Sequence, residues 1–253
     1  MTKVRFIALY SYKEKFMKTL KVTFREDQAY EKAHQYFIQT SGITGEKAKH
    51  AKMLKEAMKT RESGVDGINI RAEVSCCSSE YFKDHKIVID GHELECAAFE
   101  QIDDEKVRGI YFYVITSGEC RSSDENIMKL LYADIWGTAY VDAGRDLLKD
   151  YLEKDMERRF VAGEACPMVL SDSFGPGFYG MKMSAAKDIY QIFESDTVGI
   201  DLRESGVMVP LKSCIGLHLA VEEGAFMPGE ECRDCIGNAQ GCSYCRIKNN
   251  RAI

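Results

Sequence analysis

The spacing of apolar residues predicts two amphipathic helices near the start of the chain. Across residues 27–40, and again across residues 44–61, apolar side chains recur every three or four positions, which is the period of one helix face. Residues 4–10 and 21–24 are short runs of apolar or alternating residues and predict strands. Helices and strands are therefore mixed in this first part of the chain.

A period of two residues predicts an antiparallel sheet in the middle of the chain. Residues 68–74 alternate apolar and polar side chains, and residues 107–115 form a second strand that can be covered on both faces. Residues 86–94 combine a strand, the dipeptide Asp90-Gly91 and a returning strand. Since Asp-Gly is typical of two-residue hairpin turns, this segment predicts a β-hairpin.

A long helix follows, and it contains two glycines on one side. Apolar residues keep a helical period from Ile127 to Leu152, with Gly137 and Gly144 seven positions apart. Glycine destabilises a helix by roughly 1 kcal/mol relative to alanine. The pair therefore predicts that another element or a ligand approaches the helix backbone closely. Asp142 lies between the two glycines, where it faces either a ligand or solvent.

A glycine-rich loop comes after the long helix. Residues 175–180 contain Gly-Pro-Gly-Phe-Tyr-Gly, which excludes a continuous helix or strand and predicts sharply turned backbone. Such a loop can hold the rings of Phe178 and Tyr179 at a surface, and packing in the core is the alternative for both. A short helix precedes a strand predicted over residues 208–217. On this strand we expect Lys212 at the surface, with contact to a cofactor amide as the alternative.

These elements, in this order, resemble the reactivation domain of cobalamin-dependent methionine synthase. In that family a Pro-Gly-aromatic loop precedes a helix, and a Thr-Glu-Ser motif then runs into a Met-x-Pro-x-x-Ser strand. This chain has Pro176-Gly177-Phe178, then Arg203-Glu204-Ser205, then Met208-Val209-Pro210-Leu211-Lys212-Ser213. The long helix, with Trp136-Gly137-Thr138-Ala139-Tyr140, also resembles that of the family, so the resemblance covers roughly residues 83–220.

The resemblance implies two residues for binding S-adenosylmethionine. In the family an acidic residue of the long helix helps bind this ligand, and Asp142 matches it best. The family also has an arginine three residues before the proline of the loop, where this chain has Ser173. Because serine cannot supply the bidentate, charged contact that a carboxylate prefers, S-adenosylmethionine binding is left open.

The resemblance also implies that the loop docks against a corrin ring. The family has a tyrosine facing the ring where this chain has Phe178, and a phenylalanine keeps the stacking surface without the hydroxyl. Family motif residues after the loop order the segment below the corrin face. The residues implied to form this surface are Pro176, Gly177, Phe178, Tyr179, Glu204 and Ser205.

Composition and charge exclude several other classes of protein. A chain of 253 residues with 45% hydrophobic content can bury a sizeable core. Its net charge of −6 argues against nucleic-acid binding, which needs a concentrated basic face. No apolar run of about 20 residues predicts a membrane span, and no signal peptide is indicated. We therefore expect a cytoplasmic protein.

Ten cysteines are many for such a protein and indicate metal binding or redox chemistry before disulfides. Two Cys-x-x-Cys pairs stand near the C-terminus, formed by Cys232, Cys235, Cys242 and Cys245. Four thiolates can hold a 4Fe-4S cluster, and zinc fits the same set tetrahedrally. Because reduction of Co(II) to Co(I) needs a low-potential electron, the resemblance favours the cluster, with zinc as the alternative. We expect Cys76, Cys77 and Cys96, on or beside strands, to pack as small hydrophobic side chains.

The sequence thus predicts an α+β protein with a central antiparallel sheet and long helices. Residues 1–62 form an N-terminal helical extension, residues 63–220 the methionine synthase activation-like domain, and residues 221–253 a cysteine-rich metal-binding tail. The expected function is reductive activation of a corrinoid protein in a cobalamin-dependent methyl-transfer system, with ferredoxin or flavodoxin as electron donor. Two alternatives are a zinc-stabilised, non-enzymatic module that binds a corrinoid protein, and an iron-sulfur electron carrier without corrinoid binding.

Overall fold

The structure is a computed structural model that describes residues 18–44, 46–122, 126–160, 167–193 and 197–225. Within these ranges the chain forms four α-helices and ten β-strands. Residues 4–10, predicted as a strand, and the four cysteines near the C-terminus lie outside the described residues.

A five-stranded antiparallel sheet forms the centre of the molecule. Its strands, in chain order, are β1 (Lys18–Phe24), β2 (Val65–Ser78), β6 (Val107–Ser122), β7 (Met168–Leu170) and β10 (Ser213–Glu222). Their spatial order is β1-β2-β6-β10-β7, and each neighbouring pair is antiparallel. The predicted central antiparallel sheet is confirmed. Strand β2 runs beyond the predicted segment, and its alternation of apolar and polar residues ends at two consecutive buried cysteines, Cys76 and Cys77.

Three helices cover one face of this sheet. They are α1 (Glu26–Ser41), α2 (Ala48–Gly64) and α3 (Ile127–Phe160), each within a few residues of the predicted helix or longer. Trp136 of α3 is fully buried where they meet. Its ring stacks on Phe37 of α1 with centroids 4.4 Å apart, and its indole nitrogen donates to the carbonyl oxygen of Ala57 in α2 at 3.0 Å.

The N-terminal helices share their core with the sheet. Strand β1 pairs with β2 from Lys18 opposite Cys76 to Phe24 opposite Ile70. Arg61 of α2 donates to Glu26 of α1 at 2.7 Å and to the Tyr140 hydroxyl of α3 at 2.8 Å. The described part of residues 1–62 therefore contributes an edge strand and two helices to the main core.

Helix α3 crosses the sheet at close range at its two glycines. A Cβ atom on Gly144 would lie 2.8 Å from Cγ2 of Ile70 and 3.2 Å from Cδ1 of Ile115. A Cβ atom on Gly137 would lie 2.7 Å from Cβ of Cys120 and 2.8 Å from Cγ of Lys212. The close approach that the two glycines predict is confirmed, and protein atoms make it.

The opposite face of the sheet carries a small antiparallel meander. It consists of β3 (Phe82–Lys83), β4 (Lys86–Ile89) and β5 (His92–Glu95). Between β4 and β5, Asp90 has φ 51° and Gly91 has φ 83°. Two successive positive φ angles define the type I′ turn that suits a two-residue hairpin. The predicted hairpin is confirmed.

A second hydrophobic core lies between this meander and the sheet. Phe99 contacts Phe82 and Phe174 edge-on, with centroids 5.3 and 5.2 Å apart. Helix α4 (Ala185–Gln191) buries its apolar face in the same core, and the short strands β8 (Asp201–Leu202) and β9 (Met208–Val209) precede β10. The expectation for three cysteines is also confirmed, since Cys76, Cys77 and Cys96 are all buried.

Candidate ligand-binding site

The glycine-rich loop is fixed to the central sheet where it begins. Phe174 and Leu217 of β10 exchange two backbone hydrogen bonds of 2.9 and 2.8 Å. A Cβ atom on Gly175 would lie 3.0 Å from a backbone oxygen of β10, so the loop lies directly on that strand. Two tight turns follow, closed by the amide of Phe178 on Gly175 and the amide of Met181 on Phe178, both at 2.9 Å. The predicted sharply turned loop is confirmed.

The two aromatic rings of the loop have different surroundings. Phe178 is 53% exposed at the tip of the loop. Tyr179 contacts the buried Phe174 edge-on, with ring centroids 5.4 Å apart, and its hydroxyl donates to Asp172 at 3.3 Å. The Cys96 thiol donates to the Tyr179 carbonyl oxygen at 3.1 Å. The loop therefore displays the ring of Phe178 and holds that of Tyr179 against the protein.

A cluster of polar side chains lies where α3, β6 and the start of the loop meet. It consists of Asp142 and Arg145 of α3, Tyr113 of β6, and Ser173, and we call it the Arg145 cluster. Nη1 of Arg145 donates to Oδ1 of Asp142 at 3.3 Å. The hydroxyl oxygens of Tyr113 and Ser173 are 2.6 Å apart, and the Arg145 guanidinium lies near the Tyr113 hydroxyl. Two residues predicted from the sequence, Asp142 and Ser173, are thus brought to one place.

Arg145 is the charged centre of this cluster. The side chains of Arg145 and Asp142 are only 30% and 20% exposed. The neighbouring Tyr113 hydroxyl, together with Cys214 and Asp142, raises the pKa of Arg145, although burial acts in the other direction. Its Nε is buried without a hydrogen-bond partner. A buried unpaired donor costs about 1–3 kcal/mol, so the cluster can gain stability from an added acceptor.

An ion pair and a neutral histidine lie next to the cluster along the sheet. Lys149 of α3 lies 3.4 Å from Asp172, and Nδ1 of His218 donates to the carbonyl oxygen of Ser171 at 2.9 Å. His218 also stacks on Tyr113, with centroids 5.4 Å apart. Burial lowers the pKa of His218 to about 4, so its ring is neutral near pH 7. The positive charges near Ser173 are therefore those of Arg145 and Lys149, and Lys149 is paired with Asp172.

Cys214, at the start of β10, is a thiol beside this cluster. Burial raises its pKa to about 11, although the charge of Arg145 acts to lower it. The side chain is therefore protonated near pH 7. Because the thiolate is the nucleophilic form, Cys214 is not poised for attack on a ligand.

Glu204 and Ser205 lie in a separate, exposed turn. The amide of Arg203 donates to the carbonyl oxygen of Val207 at 2.9 Å, and the amide of Gly206 donates to the carbonyl oxygen of Arg203 at 2.8 Å. Both predicted residues are solvent-exposed within this turn. Their motif therefore forms a local turn before β9, and their predicted role at a docking surface stays a prediction.

Lys212 is not a surface residue, contrary to the expectation from the sequence. Its side chain is 17% exposed, and Nζ lies 2.7 Å from Asp134 and 3.0 Å from the Thr138 hydroxyl, both on α3. Gly137 makes this contact feasible because a side chain there would collide with Lys212. The lysine thus ties the segment before β10 to the long helix.

Sequence reasoning missed Arg145 and Tyr113. Arg145 directly follows Gly144 and stands three positions after Asp142, the spacing at which helix residues meet on one face. The glycine pair was therefore the available signal, since it indicated which side of α3 is packed. No local pattern indicates that Tyr113 lines a polar site, because its place in the alternation of β6 is that of a core residue.

Within the described ranges, no group of three or more histidine, cysteine, aspartate or glutamate side chains is arranged to hold a metal ion. The predicted ligands Cys232, Cys235, Cys242 and Cys245 lie outside these ranges. Among the helices described, none combines the length and apolar character needed to span a bilayer.

Comparisons with known proteins identify a structural neighbour. No family model matches the chain, and no curated protein matches it in sequence. A solved structure, the MetH reactivation domain bound to AdoHcy, superposes with a TM-score of 0.53 at 12% sequence identity. The match covers 92% of this chain and 88% of that domain. The chain therefore has the fold of the MetH reactivation domain.

Proposed function

We propose that this protein binds a corrinoid protein and activates it by reducing its cobalt from Co(II) to Co(I). The observation that carries the proposal is the exposed ring of Phe178, held on a loop that is hydrogen-bonded to the central sheet of a reactivation-domain fold. An aromatic ring at a fixed position suits the flat face of a corrin, and its burial on docking is favourable. The partner is a corrinoid protein of a cobalamin-dependent methyl-transfer system.

The docking surface is built around the loop. Pro176 and Gly177 shape its tip, and Phe178 contacts the macrocycle. Tyr179 supports the tip from below through its contacts with Phe174 and Asp172. The exposed turn of Glu204 and Ser205 contributes polar groups to the same surface.

The electron reaches the corrinoid through the cysteine-rich tail. We assign Cys232, Cys235, Cys242 and Cys245 as ligands of a 4Fe-4S cluster, with ferredoxin or flavodoxin as the external donor. Iron-sulfur clusters reach the low potentials that Co(II) reduction requires. Zinc fits the same four thiolates but has no redox chemistry, so a zinc-bound tail would be structural.

A small ligand related to S-adenosylmethionine occupies the Arg145 cluster in this proposal. The structural neighbour was solved with AdoHcy, and the cluster offers charged and hydroxyl groups beside the loop. Methyl transfer from S-adenosylmethionine would draw the unfavourable cobalt reduction forward. Asp142 and Ser173 are the sequence-predicted residues of this ligand site.

Replacement of Phe178 tests the docking surface. The probe is cob(II)alamin, titrated anaerobically into the protein and followed by its absorption spectrum. We expect Phe178→Ala to raise the dissociation constant about 10-fold or more, because burial of an aromatic side chain contributes about 1.5–3 kcal/mol. Phe178→Tyr, which keeps the ring, should bind as the wild type does.

Val88→Ala is the matched control, since Val88 is an exposed apolar residue of strand β4 and not part of the loop. Equal affinity of Phe178→Ala and wild type would refute the docking surface. Binding without Co(II) reduction, in the presence of reduced flavodoxin, would favour the non-enzymatic corrinoid-binding module. If the cob(II)alamin spectrum does not change but the iron-sulfur cluster of the tail can be reduced, the result would favour an electron carrier without corrinoid binding.

A further inference from the structure

We propose that Arg145 is the residue that recognises the carboxylate of an amino-acid-type ligand at the Arg145 cluster. The inference rests on the proposed function, because it takes the ligand to be related to S-adenosylmethionine. It adds the specificity-determining contact, which lies on helix α3.

The hydrogen bonding of Arg145 is incomplete in a way that fits such a ligand. Nη1 faces Asp142 at 3.3 Å, whereas the buried Nε has no partner. Arg61, another partly buried arginine of this chain, differs: its Nε donates to Tyr140 at 2.8 Å and its Nη2 to Glu26 at 2.7 Å. Arg61 is thus satisfied as a structural residue, and Arg145 retains a donor for an added acceptor.

A carboxylate is the acceptor that this geometry suits. The Nε of an arginine and the neighbouring Nη form a planar fork that binds the two oxygens of a carboxylate together. The Arg145 side chain as a whole is 30% exposed, so a small ligand can approach it from the open side. Ser173 can donate to the same group when the Tyr113 hydroxyl, 2.6 Å away, donates to Ser173.

The adjacent negative charge selects a zwitterion over a simple anion. Asp142 lies 3.3 Å from Arg145, and a carboxylate has lone pairs for more than one donor. The α-ammonium and α-carboxylate groups of an amino acid are separated by one carbon atom. They can therefore meet Asp142 and Arg145 at the same time, whereas phosphate would be repelled by Asp142.

The test compares two probes that differ only in the carboxylate, S-adenosylhomocysteine and its decarboxylated analogue, by isothermal titration calorimetry. We expect Arg145→Gln to weaken binding of S-adenosylhomocysteine about 10- to 100-fold, the range for hydrogen bonds to charged groups. Binding of the decarboxylated analogue should change less than threefold. Arg145→Lys should restore part of the difference, since it returns the charge without the fork.

Arg158→Gln is the control, an exposed arginine near the C-terminal end of the same helix. An equal loss of affinity for both probes in Arg145→Gln would overturn the inference, because it would mean that Arg145 only maintains the structure of the site. Unchanged S-adenosylhomocysteine affinity in that variant, or no binding to the wild type, would also overturn it. The cob(II)alamin titration of the same proteins reports separately on the proposed function.

Discussion

His218 illustrates how burial sets the chemistry of single residues beside the cluster. The ring is buried, stacked on Tyr113 and engaged through Nδ1 with the Ser171 carbonyl oxygen. Lys149 and Arg145 add positive charge on the helix side. A protonated imidazole is therefore disfavoured there, and the residue acts as a neutral hydrogen-bond donor.

This depressed pKa predicts a loss of stability in mild acid. The unfolded chain takes up a proton on this histidine near pH 6.5, whereas the folded protein does so only near pH 4. The free energy of unfolding should therefore fall as the pH decreases from about 6.5 to 4, by about 3 kcal/mol in total. Urea unfolding across this range measures the change.

His218→Asn is the informative variant, because its amide can keep the bond to Ser171 without titrating. It should remove most of the slope between these pH values relative to wild type. The same slope in both proteins would contradict the assignment to His218.

Residues of the candidate site were predictable only where a local motif marked them. Asp142 and Ser173 could be selected because they align with ligand-binding positions of the family that the loop and helix motifs resemble. Arg145 and Tyr113 could not, because their proximity depends on how α3 crosses β6. Lys212 was misjudged for the same reason, since the absence of a side chain at Gly137 leaves it a place beside α3.

At the level of elements, the contact of α3 with the sheet depends on small residues in the helix. Gly144 lies against Ile70 of β2 and Ile115 of β6. Arg145, the next residue, is positioned by the same crossing. Packing of this one helix thus determines both the core and the geometry of the cluster.

Gly144→Ala should destabilise the protein although alanine is the better helix former. The added Cβ atom would lie 2.8 Å from Cγ2 of Ile70, and overpacking of this kind costs about 1–3 kcal/mol. The higher helix propensity of alanine offsets roughly 1 kcal/mol of this cost. We therefore expect a net loss of up to about 2 kcal/mol in chemical denaturation.

A double-mutant cycle with Ile70→Ala provides the control. Removing Cγ2 of Ile70 should relieve the collision, so that Gly144→Ala is neutral or stabilising in that background. An equal cost in both backgrounds would show that the contact is not responsible.

The elements themselves were largely predictable because each carries its own period or turn signal. The Asp90-Gly91 hairpin is fixed by two residues that tolerate positive φ, and α1 and α2 by their apolar faces. The lengths of β2 and β6 were underestimated. In β2 the consecutive buried cysteines Cys76 and Cys77 break the alternation, and in β6 the buried polar residues Thr116 and Ser117 end the apolar run.

For the whole molecule, two hydrophobic cores lie on the two sides of a single sheet. Pairing of β1 with β2 and of α1 with α3 joins the N-terminal part to this body. The sequence left open whether residues 1–62 pack on the sheet, because long-range pairing leaves no local mark.

Metal analysis of the intact chain tests the proposed tail. Protein purified without oxygen should contain about four irons and four sulfides per chain, and Cys235→Ser should lose them. Cys214→Ser, a cysteine outside the tail, is the matched control and should retain them. One zinc and no iron would make the tail structural and would require another source of the electron.

The anchoring of the glycine-rich loop has a consequence for the kinetics of partner recognition. Backbone hydrogen bonds to β10 and the internal turns restrict the conformations of the loop before any partner binds. The entropy of ordering it is therefore lost during folding and does not oppose association. Encounter with a corrinoid protein should then be governed by diffusion and orientation, without a preceding conformational step.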